Sequence, residues 1–371
     1  MGVAVSLVVV WVAGAVAVWT IGRHPNAERF DPGGVTHPYG PFAYWDSGWF
    51  VEIAREGYDD PESPAFFPLY PLLVRVFGTL TGSEIVGGVV VSLACYAAAL
   101  WLLHRLVALD FGPDVATLTV LLVALFPAAA YFTAVYSESL FLLLSVAAVY
   151  AARTDRWALA ALAGALAAAT RSAGVVLVVP LALLWWRSRE RRPRDLAAVA
   201  AVPLGLVAFV VYLWVSGGDP LGPFEAQKEW GREFAGPLGA VVSGAEAAWS
   251  GLERIAGGDP NTWPVYDTAK TDVALFAGLL VTIPILVGAL RRLPAAYSLY
   301  AAAALAIPLS YPADGQPLMS LPRFVAVLWP LHLWVAVVLV ERPVARRVVL
   351  GLSLLGLALF SARLATWRWV G

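Results

Sequence analysis

Residues 44–75 read Y-W-D-S-G-W-F-V-E-I-A-R-E-G-Y-D-D-P-E-S-P-A-F-F-P-L-Y-P-L-L-V-R, and they gather acid, aromatics and proline in a chain that is otherwise mostly hydrocarbon. Asp46 stands where it can cap a short helix whose apolar positions are Trp49, Phe50, Ile53 and Ala54, the i, i+3, i+4 spacing of one helical face. The other face carries Glu52, Arg55 and Glu56, so this helix is expected to lie in a membrane interface rather than cross it. Gly57 ends it. The run Phe66-Phe67-Pro68-Leu69-Tyr70-Pro71 predicts a stiff aromatic turn, because each proline fixes its own φ and restricts the residue before it.

Outward from this stretch the sequence is apolar. Of 371 residues 60% are hydrophobic and 14% charged, and the mean hydropathy is +0.73, which excludes an ordinary soluble domain. Apolar runs near the ~20 residues of a membrane span recur at 3–21, 85–104, 115–135, 138–152, a pair within 157–186, 196–216, 273–290, 295–311, 324–340 and 346–365. The reading is an all-α polytopic membrane protein with about 11 crossings, treated as a single domain over 1–371. The run 3–21 is expected to be a retained span. A net charge of -1 points away from nucleic acid, and the single cysteine, Cys95, cannot form an internal disulfide.

Arg105, Arg153 and Arg156, the cluster 187–194, Arg291 and Arg292, and Arg342, Arg346 and Arg347 fall on one side if the N-terminus is cytoplasmic. The long loops 22–84 and 217–272 then face outward. The second is expected to hold an amphipathic helix near 238–255. The basic loops flanking 157–186 require the chain to enter and return within about 30 residues. At ~1.5 Å per residue each leg is roughly 22 Å, short of a ~30 Å bilayer core. The tip, Thr170-Arg171-Ser172-Ala173-Gly174, is therefore expected to be recessed, with Arg171 lining an outward-opening cavity.

Three motifs carry a family likeness. Trp45-Asp46-Ser47 with Gly57-Tyr58 and Phe66-Phe67-Pro68, then Tyr136-Ser137-Glu138-Ser139-Leu140-Phe141, then Arg171-Ser172-Ala173-Gly174 resemble the PIG-V family. That family contains GPI mannosyltransferase II and prokaryotic relatives within the GT-C class of membrane glycosyltransferases. Tyr44 stands where the family often has a basic residue, and Ala173 where it has Asn. The resemblance implies a GT-C fold with an interfacial helix in the first outer loop. It also implies inverting transfer of mannose from a polyprenyl (dolichyl) phosphate to a glycolipid, lipid-linked glycan or protein acceptor on the outer membrane face.

Asp46 would be the catalytic base on that reading; as a residue in isolation it could equally be a helix cap. Glu138 would position substrate, or merely favour the positive end of its helix. Arg171 and Arg323 are candidates for a phosphate, against arginines anchored at the interface. Gln227, Lys228 and Trp230 resemble a Q-x-x-W element, and Trp45 and Tyr70 complete the expected substrate contacts. No cofactor is called for. A divalent cation at Asp59, Asp60 and Glu62 is weighed against a solvated acidic turn, and His24, His37, His104 and His332 lack ligand spacing. Other sugars (arabinose, glucose), a lipid or glycan transporter, and a non-catalytic assembly partner remain as alternatives. Scarce lysine and asparagine suggest a GC-rich bacterial or archaeal source, and hence its cell membrane.

Overall fold

The structure is a computed structural model that describes residues 2–22, 42–188, 190–258, 268–368 and 370. Among the described residues it is nearly all helix, and the β-type pairing there is an isolated bridge between Arg232 and Ala313. Gly2–Ile21, Glu84–Ala124, Thr268–Arg292 and Pro343–Ala365 are each long and apolar enough to cross a membrane. Three helix pairs are long and apolar enough only when taken together, and each is bent: Pro127–Thr133 with Glu138–Arg153 at 94°, Pro193–Ala201 with Leu204–Val215 at 44°, and Leu321–Val327 with Trp329–Leu339 at 70°. Against the expected eleven or so crossings, four long helices among the described residues meet this length and composition test, or up to seven elements if each bent pair is one span, with Glu84–Ala124 itself divided by a kink. The remaining apolar helices, Leu69–Thr81, Trp157–Ala168, Ser172–Arg187 and Ala295–Ser310, are shorter. Large apolar side chains such as Val8, Trp19, Leu162, Val281 and Leu352 are exposed on these elements, as an integral membrane protein requires.

Proline and glycine explain where the hydropathy pattern misleads. The expected spans 85–104 and 115–135 correspond to the two arms of Glu84–Ala124, which breaks at Gly112 (φ 80°, ψ 170°) just before Pro113. His104 Nε2 lies 3.3 Å from Thr117 Oγ1, so the chain turns back there, and the second arm stops at Ala124. Beyond it Pro127 starts a 3-10 turn whose small Ala128, Ala129 and Ala130 are fully enclosed, so this apolar stretch packs inside the bundle rather than spanning. Pro330 likewise ends the continuity of 324–340: Leu321–Val327 stands apart from Trp329–Leu339 across the turn at Leu328.

The described part of the first long loop forms the expected short helix, Ser47–Arg55, and a helix that the sequence did not announce, Leu69–Thr81. Proline is compatible with a first helical turn, so the aromatic turn feeds into a helix instead of a loop. Its face Tyr70, Val74 and Gly78 is buried, while Leu72, Val76 and Leu80 point outward. It crosses Glu84–Ala124 at glycine backbone: a Cβ on Gly87 would lie 2.4 Å from the Gly78 nitrogen. In the second long loop the amphipathic helix is Gly239–Ala256, preceded by a short helix Gly222–Glu229.

The hairpin is short on both sides. Trp157–Ala168 has 12 residues and Val178–Arg187 has 10, joined by the 3-10 turn Ser172–Leu177. At ~1.5 Å per residue neither leg covers a bilayer core. The Leu69 N–H donates to the Ala169 carbonyl (3.0 Å), which ties the first long loop to the hairpin tip.

Candidate active site

Asp46 sits in a backbone turn that costs conformational energy. Trp45 has φ 51°, a left-handed conformation unfavourable for a bulky residue by about 1–3 kcal/mol. Several contacts hold it. The Tyr136 hydroxyl accepts from the Asp46 N–H (3.1 Å) and donates to the Tyr44 carbonyl (2.9 Å). Ser47 Oγ accepts from the Tyr44 N–H (3.2 Å), and the Val135 N–H donates to the Phe42 carbonyl (2.8 Å). The Trp45 ring lies 5.5 Å from that of Trp367.

Asp46 occupies the N-cap of Ser47–Arg55, yet its carboxylate makes no capping bond. Its Oδ2 instead accepts from Arg323 Nη1 at 2.5 Å. The capping explanation for an aspartate here therefore fails. Arg323 belongs to the short helix Leu321–Val327, not to a straight span, and that helix begins after Ser320 at φ 67°. A second strained turn thus sets the second member of the pair.

From Asp46 the charges alternate inward. Arg323 Nε donates to Glu138 Oε1 (2.8 Å), and Arg171 Nη1 meets the same oxygen at 2.8 Å and Ser137 Oγ at 3.4 Å. The Arg323 guanidinium also lies over the rings of Tyr136 (4.8 Å) and Tyr131 (5.1 Å), a favourable cation–π placement. The Glu138 side chain has 0% exposure, so it touches two guanidiniums rather than an open surface. Ser137 does not cap Glu138–Arg153 either; its hydroxyl serves Arg171. A buried carboxylate survives only when paired, and here two arginines pair it.

The other sequence candidates fall in different places. Trp230 sits edge-on to Trp49 (5.9 Å) and Phe66 (5.8 Å), beside the interfacial helix. Lys228 turns away and pairs with exposed Glu225 (2.7 Å), which raises its pKa, so the structure does not bring it to the cluster. Gln227 supplies a backbone carbonyl to the Arg232 N–H (2.8 Å). Tyr70 is fully buried, hydrogen-bonded to Ser92 (2.7 Å) under Phe50, a packing position rather than a surface for substrate. Asp60 accepts from the Glu62 N–H (2.8 Å) in a local turn, and burial with the Asp60 and Glu229 charges raises the Glu62 pKa. Among the described residues no three His, Cys, Asp or Glu side chains gather as a metal site; His24 and His37 lie outside those residues.

Sequence reasoning missed Tyr136, Tyr131, Tyr44 and Arg232. Tyr136 could have been found, since it opens the Tyr136-Ser137-Glu138 motif. Arg232 is a lone arginine two residues past Trp230. Its guanidinium donates to the carbonyls of Tyr311 and Met319 (both 3.2 Å) and lies 5.9 Å from the Phe324 ring centre.

Apolar broken helices around a recessed cluster of alternating charge define the class, a polytopic helical membrane protein consistent with a GT-C-like arrangement. Residues 35–184 match the model of the family described as Mannosyltransferase (PIG-V), and this match supports a mannosyltransferase. The matched segment contains Asp46, Tyr136, Glu138 and Arg171, whereas Arg232 and Arg323 lie beyond it. No curated protein and no solved structure matches the chain.

Proposed function

We propose that the protein is an inverting mannosyltransferase that takes mannose from a polyprenyl-phosphate donor and delivers it to a hydroxyl of a glycolipid, lipid-linked glycan or protein on the outer membrane face. The observation that carries this reading is the chain Asp46–Arg323–Glu138–Arg171, in which one carboxylate is only partly exposed and backed by fixed positive charge. Arg323 holds Asp46 Oδ2 and leaves Oδ1 uncommitted. Oδ1 takes the proton of the acceptor hydroxyl as that oxygen attacks the anomeric carbon. The bond from the anomeric carbon to the phosphate oxygen breaks on the opposite side, and its electron pair departs with the phosphate. A single displacement of this kind inverts the anomeric configuration.

Arg171 and Arg323 stabilise the growing charge on the leaving phosphate from a site shielded from bulk water, where preorganised donors act most strongly. Glu138 acts through them: it fixes both guanidiniums and touches neither sugar nor phosphate. Trp230 and Trp49 supply aromatic faces on the acceptor side of Asp46.

The test is transfer itself. Purified protein with radiolabelled mannosyl polyprenyl phosphate is expected to mannosylate membrane lipid extract, and Asp46→Asn is expected to abolish transfer at unchanged expression. Full activity in Asp46→Asn, or no transfer from the lipid donor by the parent, would sink the proposal. The three bent helix pairs favour a second reading as a transporter, because broken helices are a hallmark of that class. Substrate-dependent flux in liposomes without sugar transfer would select it.

A further inference from the structure

Arg232 belongs to the second long loop yet reaches the same cluster. The bridge between Arg232 and Ala313, the Asp314 N–H to Gly231 carbonyl bond (2.9 Å) and the two guanidinium contacts to Tyr311 and Met319 fasten it there. Phe324, the neighbour of Arg323, has the Arg171 guanidinium 5.8 Å and the Arg232 guanidinium 5.9 Å from its ring centre. Two cations from opposite halves of the chain thus share one ring.

Their charge environments differ. Arg171 and Arg323 are paired with Glu138 and Asp46. Among the described residues Arg232 makes no ion pair: its partners are neutral carbonyls, and Glu229, Glu233 and Asp314 are exposed. Two carboxylates and three guanidiniums leave the cluster one positive charge in excess. Burial and the neighbouring Arg323 charge push Arg232 down to about 10, partly offset by Asp46, so it is still charged at neutral pH. A half-buried cation without an ion pair of its own is better satisfied when an anion arrives to meet it.

We propose that Arg232, beside Phe324 and within the field of Arg323, completes the seat of a phosphate-ester anion at this cluster. Taking that anion to be the lipid donor's phosphate rests on the sugar-transfer reading above. The charges then balance at every stage. A phosphodiester donor brings one negative charge and neutralises the cluster. As the sugar–phosphate bond breaks, the phosphate gains a second negative charge while Asp46 accepts the acceptor's proton and loses its own. The part of the Arg232 fork not bound to carbonyls is suited to two phosphate oxygens at once.

The experiment measures binding of polyprenyl phosphate, the product that bears the phosphate, to the full chain in nanodiscs, alongside transfer kinetics and thermal midpoint. Loss of a charge-assisted contact predicts roughly tenfold weaker binding for Arg232→Lys and about a hundredfold for Arg232→Ala. Asp46→Asn is expected to bind no more weakly than the parent. Parental affinity in either folded Arg232 variant overturns the proposal, as does a lower thermal midpoint and turnover with unchanged affinity. If Arg232→Ala does not fold, Arg232→Lys decides. Arg232-dependent binding without any mannose transfer would remove the transfer reading and keep the anion seat. Normal transfer with unaltered donor KM and product affinity in Arg232→Lys would do the reverse.

Discussion

Arg323 Nη1 lies 2.5 Å from Asp46 Oδ2, a contact between residues 277 apart in the chain. The same guanidinium spans to Glu138 through Nε, so its planar fork sets the distance between the two carboxylates. Lysine has the charge, but its three donors share one nitrogen, so it cannot reach both carboxylates at the spacing that Nη1 and Nε of the guanidinium set. Arg323→Lys is therefore expected to fold but to lose about a hundredfold in kcat, the scale of a misplaced catalytic group. Steady-state transfer kinetics check this, and parental kcat would detach Arg323 from the chemistry.

Glu138 gives a stability prediction. Replacing it with Ala leaves the Arg171 and Arg323 guanidiniums facing each other without the oxygen that both contact. Breaking such a buried arrangement costs about 3–5 kcal/mol, so Glu138→Ala is expected to lower the thermal midpoint sharply in detergent. Glu138→Gln keeps shape and one acceptor and is expected to lose less. Equal midpoints for the parent and Glu138→Ala would mean that the cluster is not held by this carboxylate.

Local chemistry was legible in the sequence, and long-range pairing was not. Asp46 stood out because Trp45-Asp46-Ser47 resembles the PIG-V motif, while the helical spacing after it pointed only to a cap, and Arg171 because too few residues remain for two full crossings. Neither fact says that Asp46 faces Arg323, since no local pattern encodes a contact between the first long loop and a short helix more than two hundred residues further on. Arg153 shows the same limit. It reads as an orientation signal, but it forms a bidentate pair with Asp110 (2.5 and 2.9 Å) and meets Tyr297 (3.3 Å). Hydropathy windows average across single breaks, so Trp329-Pro330 vanished into an apparently continuous span, whereas Gly112-Pro113 fell between two expected ones. Arg232 was missed because only its neutral carbonyl partners and its place beside Phe324 set it apart from an ordinary loop arginine.

Tyr136 clamps the strained turn before the acid through one donated and one accepted hydrogen bond. Tyr136→Phe removes both while preserving the ring under Arg323. The expected stability loss is about 1–3 kcal/mol, from two lost bonds and the unmet Asp46 N–H and Tyr44 carbonyl. Because Asp46 is then less well aimed, kcat is expected to fall while donor KM changes little. A fall in donor affinity with unchanged kcat would assign Tyr136 to binding instead.

Gly174 allows the hairpin tip to close. A Cβ there would lie 2.3 Å from the backbone carbon and oxygen of Ala167, atoms that cannot rotate aside as a side chain would. The Gly174 N–H also donates to the Arg171 carbonyl (2.8 Å), so pushing the turn outward moves Arg171 with it. Overpacking of this kind costs about 1–3 kcal/mol. Gly174→Ala is therefore expected to lower both the thermal midpoint and turnover, through loss of the Arg171–Glu138 contact. The exposed neighbour change Ser172→Ala is expected to leave both untouched. Thermal unfolding and transfer assays on the two variants make the comparison. If Gly174→Ala matches Ser172→Ala, the tip has room that this packing denies, and Arg171 is not aimed by the close approach of the two legs.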